Sequence, residues 1–500
     1  MFQPSDFRIR EQQMGLTLAD VIEGIGGKRI DLSAAPRVSE FVIDSREVQR
    51  GDVFIAFKGE RVDGHDFVRS AFERGAVAAM VDKSQVGRLE GMNVETVEPS
   101  SHPTSQPSNL STPILIAVDN TEQGLQKLAT WWRNKFNLRV IGVTGSVGKT
   151  TTKEVISQVL SVKHDVLKSE GNSNNALGVP LTLLKLEPRH THAVLEMGMD
   201  RLGEIAAYCE WAKPSVGVIT MIAPVHLSKL GTMANIVRAK TELLAALPSA
   251  EQGGVAILND DDERVRGMAS QTKARVVTYG LSSRANVWAS DVESYGLDGI
   301  SFTLKHGSKT TRVHAPLLGQ HSVQTALRAA TVGLVEGMTL EEAVEGLSRQ
   351  APQLRIVMAT GPHDSLVIDD SYNAAPESTL AALNLLKEIN GSAPRIAVLG
   401  DMLELGDAEQ IGHEEVGCRA ALVADVIIGV GQRSRFMCRA AVECGAKKDH
   451  VFHVESNGEA IMLLNEILTK KHIVLVKGSR GMKMEEIVNA LGALVEESQW

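Results

Sequence analysis

Apolar residues along this chain fall into short, nearly unbroken runs, each closed by a glycine, an acid or an amide. LRVIGVTG, AVLEMG, VGVITMI, GVAILN and RVVTYG are of this kind. Between most of them the apolar positions recur at helical spacing. A strand with no polar alternation is covered on both faces, so runs alternating with helices predict a parallel sheet flanked by helices.

Three zones separate by pattern. In the first, FVIDSREVQRGDVFIAFKG, AVAAMVD and PILIAVDN read as strands, with a helix over residues 66–74. Residues 98–113, rich in Ser and Pro and without periodicity, read as an exposed loop or insert. TEQGLQKLATWWRNKF is a helix leading out. The second zone carries the runs quoted above. It shifts over residues 287–313 to alternation with Gly-containing turns, which predicts a small antiparallel excursion, and then gives helices in HSVQTALRAATVGLVEG and TLEEAVEGLSRQ. In the third, SLVIDDS, RIAVLGD, ADVIIGVG and HIVLVKGS alternate with helices at about 377–389, 407–422 and 458–469. This is the pattern of a smaller doubly wound domain of the dinucleotide-binding type. Ligands of such sheets bind beyond the carboxyl ends of the strands, which points to Asp369, Asp370, Asp401 and Lys477. The expected boundaries are 1–136, 137–351 and 352–500. The fold class is α/β with three domains, a central parallel-sheet domain and a Rossmann-like C-terminal one.

A chain of 500 residues exceeds what one hydrophobic core supports, in keeping with that division. Its net charge of −9 and 4% aromatic content argue against a nucleic-acid partner, which needs a basic surface and stacking rings. The cysteines Cys209, Cys418, Cys438 and Cys444 show neither zinc-ligand nor CxxC spacing and read as reduced packing thiols. The first residues carry charges throughout and lack a signal-peptide core, and no window is apolar enough to span a bilayer. A cytoplasmic monomer is expected.

The strongest chemical signal is IGVTGSVGKTTTKEV. A strand runs into Thr144, Gly145, Ser146, Val147 and Gly148, and a helix starts near Lys149. Glycines let backbone N–H groups turn onto phosphate oxygens, and the helix terminus favours the negative charge. Lys149 then bridges the terminal phosphates, and the Thr150 hydroxyl, followed by Thr151, holds Mg²⁺. The loop is of the shorter TGxxGKT kind, with Val143 where the longer motif has Gly. A nucleotide-bound metal needs a second acid at a neighbouring strand end, and Glu196 sits at one. His226 follows the next strand and, taken alone, is more often a loop residue than a ligand. Lys240, in MANIVRAKTELLAAL, reads on its own as a surface lysine of an amphipathic helix.

These residues, with GNSNNALGVPLTLL, LEMGMDRLGEIA, IDDSYNAAPESTLAAL, VLGDMLELG and VLVKGSRGMKME, make the chain resemble the Mur ligase family over nearly its whole length. Within it the likeness is to the branch that joins D-alanyl-D-alanine to UDP-N-acetylmuramoyl-tripeptide. The resemblance implies a UDP-sugar-binding N-terminal domain, a central ATPase domain and a C-terminal Rossmann-like domain. It also implies an acyl-phosphate intermediate in peptidoglycan precursor synthesis. By matching positions it makes Glu196 and His226 magnesium ligands and Lys240 the lysine that is carbamylated in several members. Asn174 and Asn175 fall on the muramoyl side, Ser45 and Arg46 in the UDP-binding segment, and Arg355 just after the hinge. Asp370 and His321 fall near the nucleotide, and Tyr372 and Asn373 are candidates for the dipeptide pocket. The chain departs from the family at Met221 and Ala223, where Asn and Gly are usual, and at Ser322 and Thr325, where asparagines are usual. Two alternatives stand beside this reading. One is a sibling or folylpolyglutamate-type ligase, which should lack DDSYNAAP and LGDMLELG; the other is a P-loop nucleotide-binding regulator that makes no amide.

Overall fold

The apolar runs of the first zone form a five-stranded sheet in the spatial order Phe41–Val42, Val53–Ile55, Ala78–Asp82, Ile114–Val118, Glu95–Val97, parallel throughout. The structure is a computed structural model and describes residues 15–27, 35–59, 61–99, 113–225, 227–349, 356–389 and 391–492. The chain forms two compact units. One comprises Met1–Val140, Asp165–Met197 and Ala206–Pro214; the other comprises Ile141–His164, Gly198–Ile205 and Ser215–Trp500.

In the first unit Phe54, Ala79, Val81 and Leu115 meet Val68 and Ala71 of the helix Val68–Glu73 to make one core. The helix predicted over 66–74 is thus preceded by a tight 3₁₀ turn, Gly64–Phe67, capped by the Asp63 carboxylate. Asn120 caps the helix Thr121–Arg133 by accepting from the Gln123 N–H. The same unit holds a parallel pair, Val166–Lys168 with His192–Glu196.

The second unit contains two sheets. In the first of them, Thr144 and the residues before it pair in parallel with Val216–Ile219, which pairs with Val255–Asn259, which pairs with Arg275–Gly280. Val287–Ser294 joins in parallel and then turns into the antiparallel strands Ile300–His306 and Lys309–Ala315, the predicted excursion. The six-stranded C-terminal sheet runs Val357–Gly361, Ser365–Asp370, Ile473–Lys477, Arg395–Gly400, Val426–Val430, Val451–Val454. Its strands bury alternate residues on opposite faces. Ile368, Leu399 and Leu475 enter one core and Val367, Val398 and Val476 the other, as the two-residue period of a strand requires. Together these make three α/β domains with parallel sheets. The edge strand Val357–Gly361 is antiparallel and was not expected; its mixed burial hides it from a search for apolar runs.

One expectation is corrected. Cys418 and Cys444 are disulfide-bonded, with Cα atoms 5.1 Å apart; Cys209 and Cys438 are the buried free thiols. Packing of the helices Glu409–Ala421 and Ser434–Glu443 brings the pair together, and a separation of 26 residues matches no motif. None of the described helices is long and apolar enough to cross a membrane.

Candidate active site

The strand Arg139–Thr144 delivers the chain into the glycine-rich turn, and the helix Lys149–Leu160 leaves it. Gly148 stands at the helix N-cap with φ 80°. Gly145 has φ 148°, and a Cβ there would lie 1.8 Å from the Thr220 hydroxyl, so only glycine fits. The segment Thr220–Ala223 acts as a bed for the loop. Thr220 Oγ1 donates to the Val147 carbonyl at 2.7 Å, and the Ser146 N–H donates to the Met221 carbonyl at 2.8 Å. Ser146 Oγ donates to the Ala223 carbonyl and accepts from the Ala223 N–H, both at 2.9 Å. Met221 and Ala223 hold the loop through the main chain, so their side chains are free to differ from the family pattern. Lys149 Nζ lies 3.0 Å from the Gly145 carbonyl, and Thr150 and Thr151 continue the first helical turn, where N–H groups point outward.

Lys240 is not the surface lysine that helix periodicity suggests. It is 2% exposed on the helix Met233–Ala245 and has no hydrogen-bonding or ionic partner among the described residues. Burial, reinforced by the charge of Lys149, pulls its pKa well below the ordinary lysine range. A second buried basic residue, Arg328, lies on the helix Val323–Val335. It donates to Tyr279 Oη at 2.7 Å, to Thr152 Oγ1 at 2.5 Å and to the Thr220 carbonyl at 3.1 Å. Sequence reasoning missed it, although one arginine inside the apolar run ALRAATVGL was a visible signal.

In the other unit, Glu196 closes the strand His192–Glu196 and is buried. Asn174 Nδ2 donates to Glu196 Oε1 at 2.8 Å, and Ser169 Oγ accepts from the Glu196 N–H. Glu196 Oε2 has no hydrogen-bond partner among the described residues. A buried carboxylate oxygen left open is a fitting donor for a hard divalent cation, which takes oxygen ligands. Asn175 Oδ1 accepts from the Leu177 and Gly178 N–H groups where the helix Gly178–Leu184 begins, so it is partly occupied in structure. Ser45 is buried, whereas Arg46 is exposed and forks onto the Asp44 carboxylate. That contact lowers the Asp44 pKa to about 2.

The strand ends of the C-terminal sheet carry the predicted polar residues. Asp370 pairs with Lys477 at 2.6 Å, a buried ion pair, and the Lys477 ammonium also donates to the Asn373 carbonyl at 2.9 Å. Tyr372 lies beneath the Arg480 guanidinium, 5.5 Å from its ring centroid. His321 shows an open edge to water, yet protein crowds its ring, and that crowding lowers its pKa against the pull of Glu388 and Asp370. Asp401 accepts from the N–H groups of Arg433 and Ser434 and so caps a helix, a structural duty. His226, Arg355 and most of the 98–113 insert lie outside the described residues.

Residues 143–333 match the Mur ligase middle domain, residues 340–480 the Mur ligase glutamate ligase domain, and residues 37–130 the Mur ligase family catalytic domain. The UDP-N-acetylmuramoyl-tripeptide–D-alanyl-D-alanine ligase of Bacillus subtilis is 36% identical over 467 residues, covering 92% of this chain and 95% of its own. The chain belongs to the Mur ligase family. Among solved structures, MurF from Acinetobacter baumannii superposes with a TM-score of 0.77 at 30% identity, over 95% of this Mur ligase and 98% of that chain. MurF from Thermotoga maritima, solved in complex with ADP, gives 0.72 at 26% identity, over 90% and 96%. The matched segments of this Mur ligase take in the phosphate loop, Glu196, Lys240, Arg328 and the Asp370–Lys477 pair.

Proposed function

We propose that this chain is a cytoplasmic, ATP-dependent ligase that joins D-alanyl-D-alanine to UDP-N-acetylmuramoyl-tripeptide. The observation that carries the reading is the phosphate loop, with Lys149 at its helix terminus and a buried amine, Lys240, beside it. That loop stands in a chain 36% identical to the Bacillus subtilis ligase.

A carboxylate resists amide formation because its leaving group would be oxide. The γ-phosphoryl of ATP is therefore moved to the terminal carboxylate of the tripeptide, giving an acyl phosphate and ADP. The D-alanyl-D-alanine amine attacks the acyl carbon, loses its proton, and phosphate departs from the tetrahedral intermediate. Lys149 and the N–H groups of the first helical turn hold the phosphoryl group and spread its charge. Thr150, Glu196 and His226 are the residues that would hold Mg²⁺, and the open Oε2 of Glu196 supports this assignment. A bound Mg²⁺ supplies charge neutralisation of the phosphates. Lys240, whose pKa burial lowers, is suited to release its protons to solvent as it takes up CO₂ and becomes a carbamate, an anionic oxygen donor. Asn174 fixes the Glu196 carboxylate. Asp370, His321 and Arg355 belong to the nucleotide side, Ser45, Arg46 and Asn175 to the UDP-sugar, and Tyr372 and Asn373 to the dipeptide.

The test is phosphate release from Mg·ATP with the UDP-tripeptide and D-alanyl-D-alanine added singly and together, alongside Lys149→Ala. Release should require both, and the variant should lose roughly a thousandfold or more. ATP turnover that ignores both substrates would sink the ligase reading.

A further inference from the structure

Arg328 is 5% exposed, and among the described residues its hydrogen bonds go to neutral oxygens: the Tyr279 phenol, the Thr152 hydroxyl and the Thr220 carbonyl. Burying a guanidinium is expensive, and proteins ordinarily offset it with a carboxylate. Among the described residues none takes that place. Asp262 and Asp261, whose charges act on the Tyr279 phenol, are engaged elsewhere. Asp261 accepts from the Leu281 N–H and from Gln324, while Asp262 caps the helix Glu263–Gly267 and accepts from the Ile222 N–H.

The three acceptors are not scattered. Thr152 follows Lys149 by one helical turn on the helix that begins at the phosphate loop. Thr220 is the residue that holds the Val147 carbonyl and faces Gly145. Tyr279 is fully buried at the end of Arg275–Gly280, and its phenol, 3.4 Å from the Thr220 carbonyl, passes the arginine's bond on to the same oxygen. One side chain thus ties the loop's helix to the loop's bed.

We infer that Arg328 is a positioning residue for the phosphate loop. It locks Thr152 and Thr220 in the spacing that aims the loop N–H groups, and it lends an un-neutralised positive charge that a bound polyphosphate offsets. This deepens, and rests on, the reading of the loop as the ATP site.

The experiment titrates Mg·ADP by calorimetry into the full-length wild type, Arg328→Lys, Arg328→Met and Thr152→Val. Nucleotide-free melting and KM values for all three substrates are measured in parallel. Arg328→Met should weaken ADP binding and raise the KM for ATP by roughly ten- to a hundredfold. The KM values for the UDP-tripeptide and D-alanyl-D-alanine should stay within about twofold, and Arg328→Lys should recover part of the loss. A folded Arg328→Met that binds ADP as the wild type does would overturn the inference. So would three KM values rising together in step with a lower melting point, the mark of a purely structural arginine. Should Arg328→Met not fold, Thr152→Val decides: severalfold weaker ADP supports the inference, and unchanged affinity overturns it. A wild-type chain that takes no ADP would sink the nucleotide reading itself, a result distinct from these.

Discussion

Two places in the second unit bury lysines at the functional ends of parallel sheets, and they treat the charge in opposite ways. At the C-terminal sheet Lys477 meets Asp370 at 2.6 Å and a neutral carbonyl besides. Beside the phosphate loop Lys240 meets no acid among the described residues, and burial pulls its pKa well below the ordinary lysine range. The first arrangement is self-sufficient and holds two strand ends together. The second is a poor way to stabilise a fold and a good way to keep a reactive group. The contrast teaches that a buried basic group without an acid partner marks where chemistry or a ligand is expected, while a matched pair also serves the architecture.

The comparison can be broken in order of effect. Gly145→Ala should be the most damaging, because its methyl would collide with Thr220. Nucleotide affinity and turnover should fall by roughly a hundredfold or more, read by ADP titration and phosphate release. Lys477→Met should cost about 3–5 kcal/mol in urea unfolding by leaving Asp370 buried and alone, and adding Asp370→Asn should restore most of it. Lys240→Met should do the reverse, abolishing ligation while leaving the fold as stable as before or more so. The pH profile separates the two lysines further. The folded-state pKa of Lys240 lies well below the unfolded value of about 10.4. Between those two values the unfolded chain holds the extra proton, so stability from this residue rises with pH across that window. Denaturation midpoints measured through the alkaline range should show the rise in wild type and a flatter profile in Lys240→Met. The smallest effect belongs to Arg46→Ala: an exposed pair contributes little to stability, so the melting point should hold while the KM for the UDP-tripeptide rises.

Much of this was legible in the residues because the signals were local. The phosphate loop announces itself over a dozen positions, and the covered strands read directly as apolar runs. Asp370 and Lys477 were both flagged at strand ends, yet their pairing, across 107 residues, is a product of the sheet order. Arg328 and Thr152 are 176 residues apart and carry no spacing rule. Lys240 was misjudged because periodicity says which face of a helix a residue occupies but not what covers that face. The Cys418–Cys444 bridge escaped for the same reason, since only helix packing brings the two thiols together.

The division of the chain has a consequence for its biogenesis. The unit that opens the sequence is completed only by Asp165–Met197 and Ala206–Pro214, and the phosphate loop, within Ile141–His164, belongs to the other unit. During synthesis the loop therefore emerges before Thr220, Tyr279 and Arg328, the residues that hold it. A ribosome-stalled chain ending before Thr220 should expose the loop to protease, and one extending past Arg328 should shield it. The nucleotide site is in this sense a late product of translation, closed by residues made long after the motif that names it.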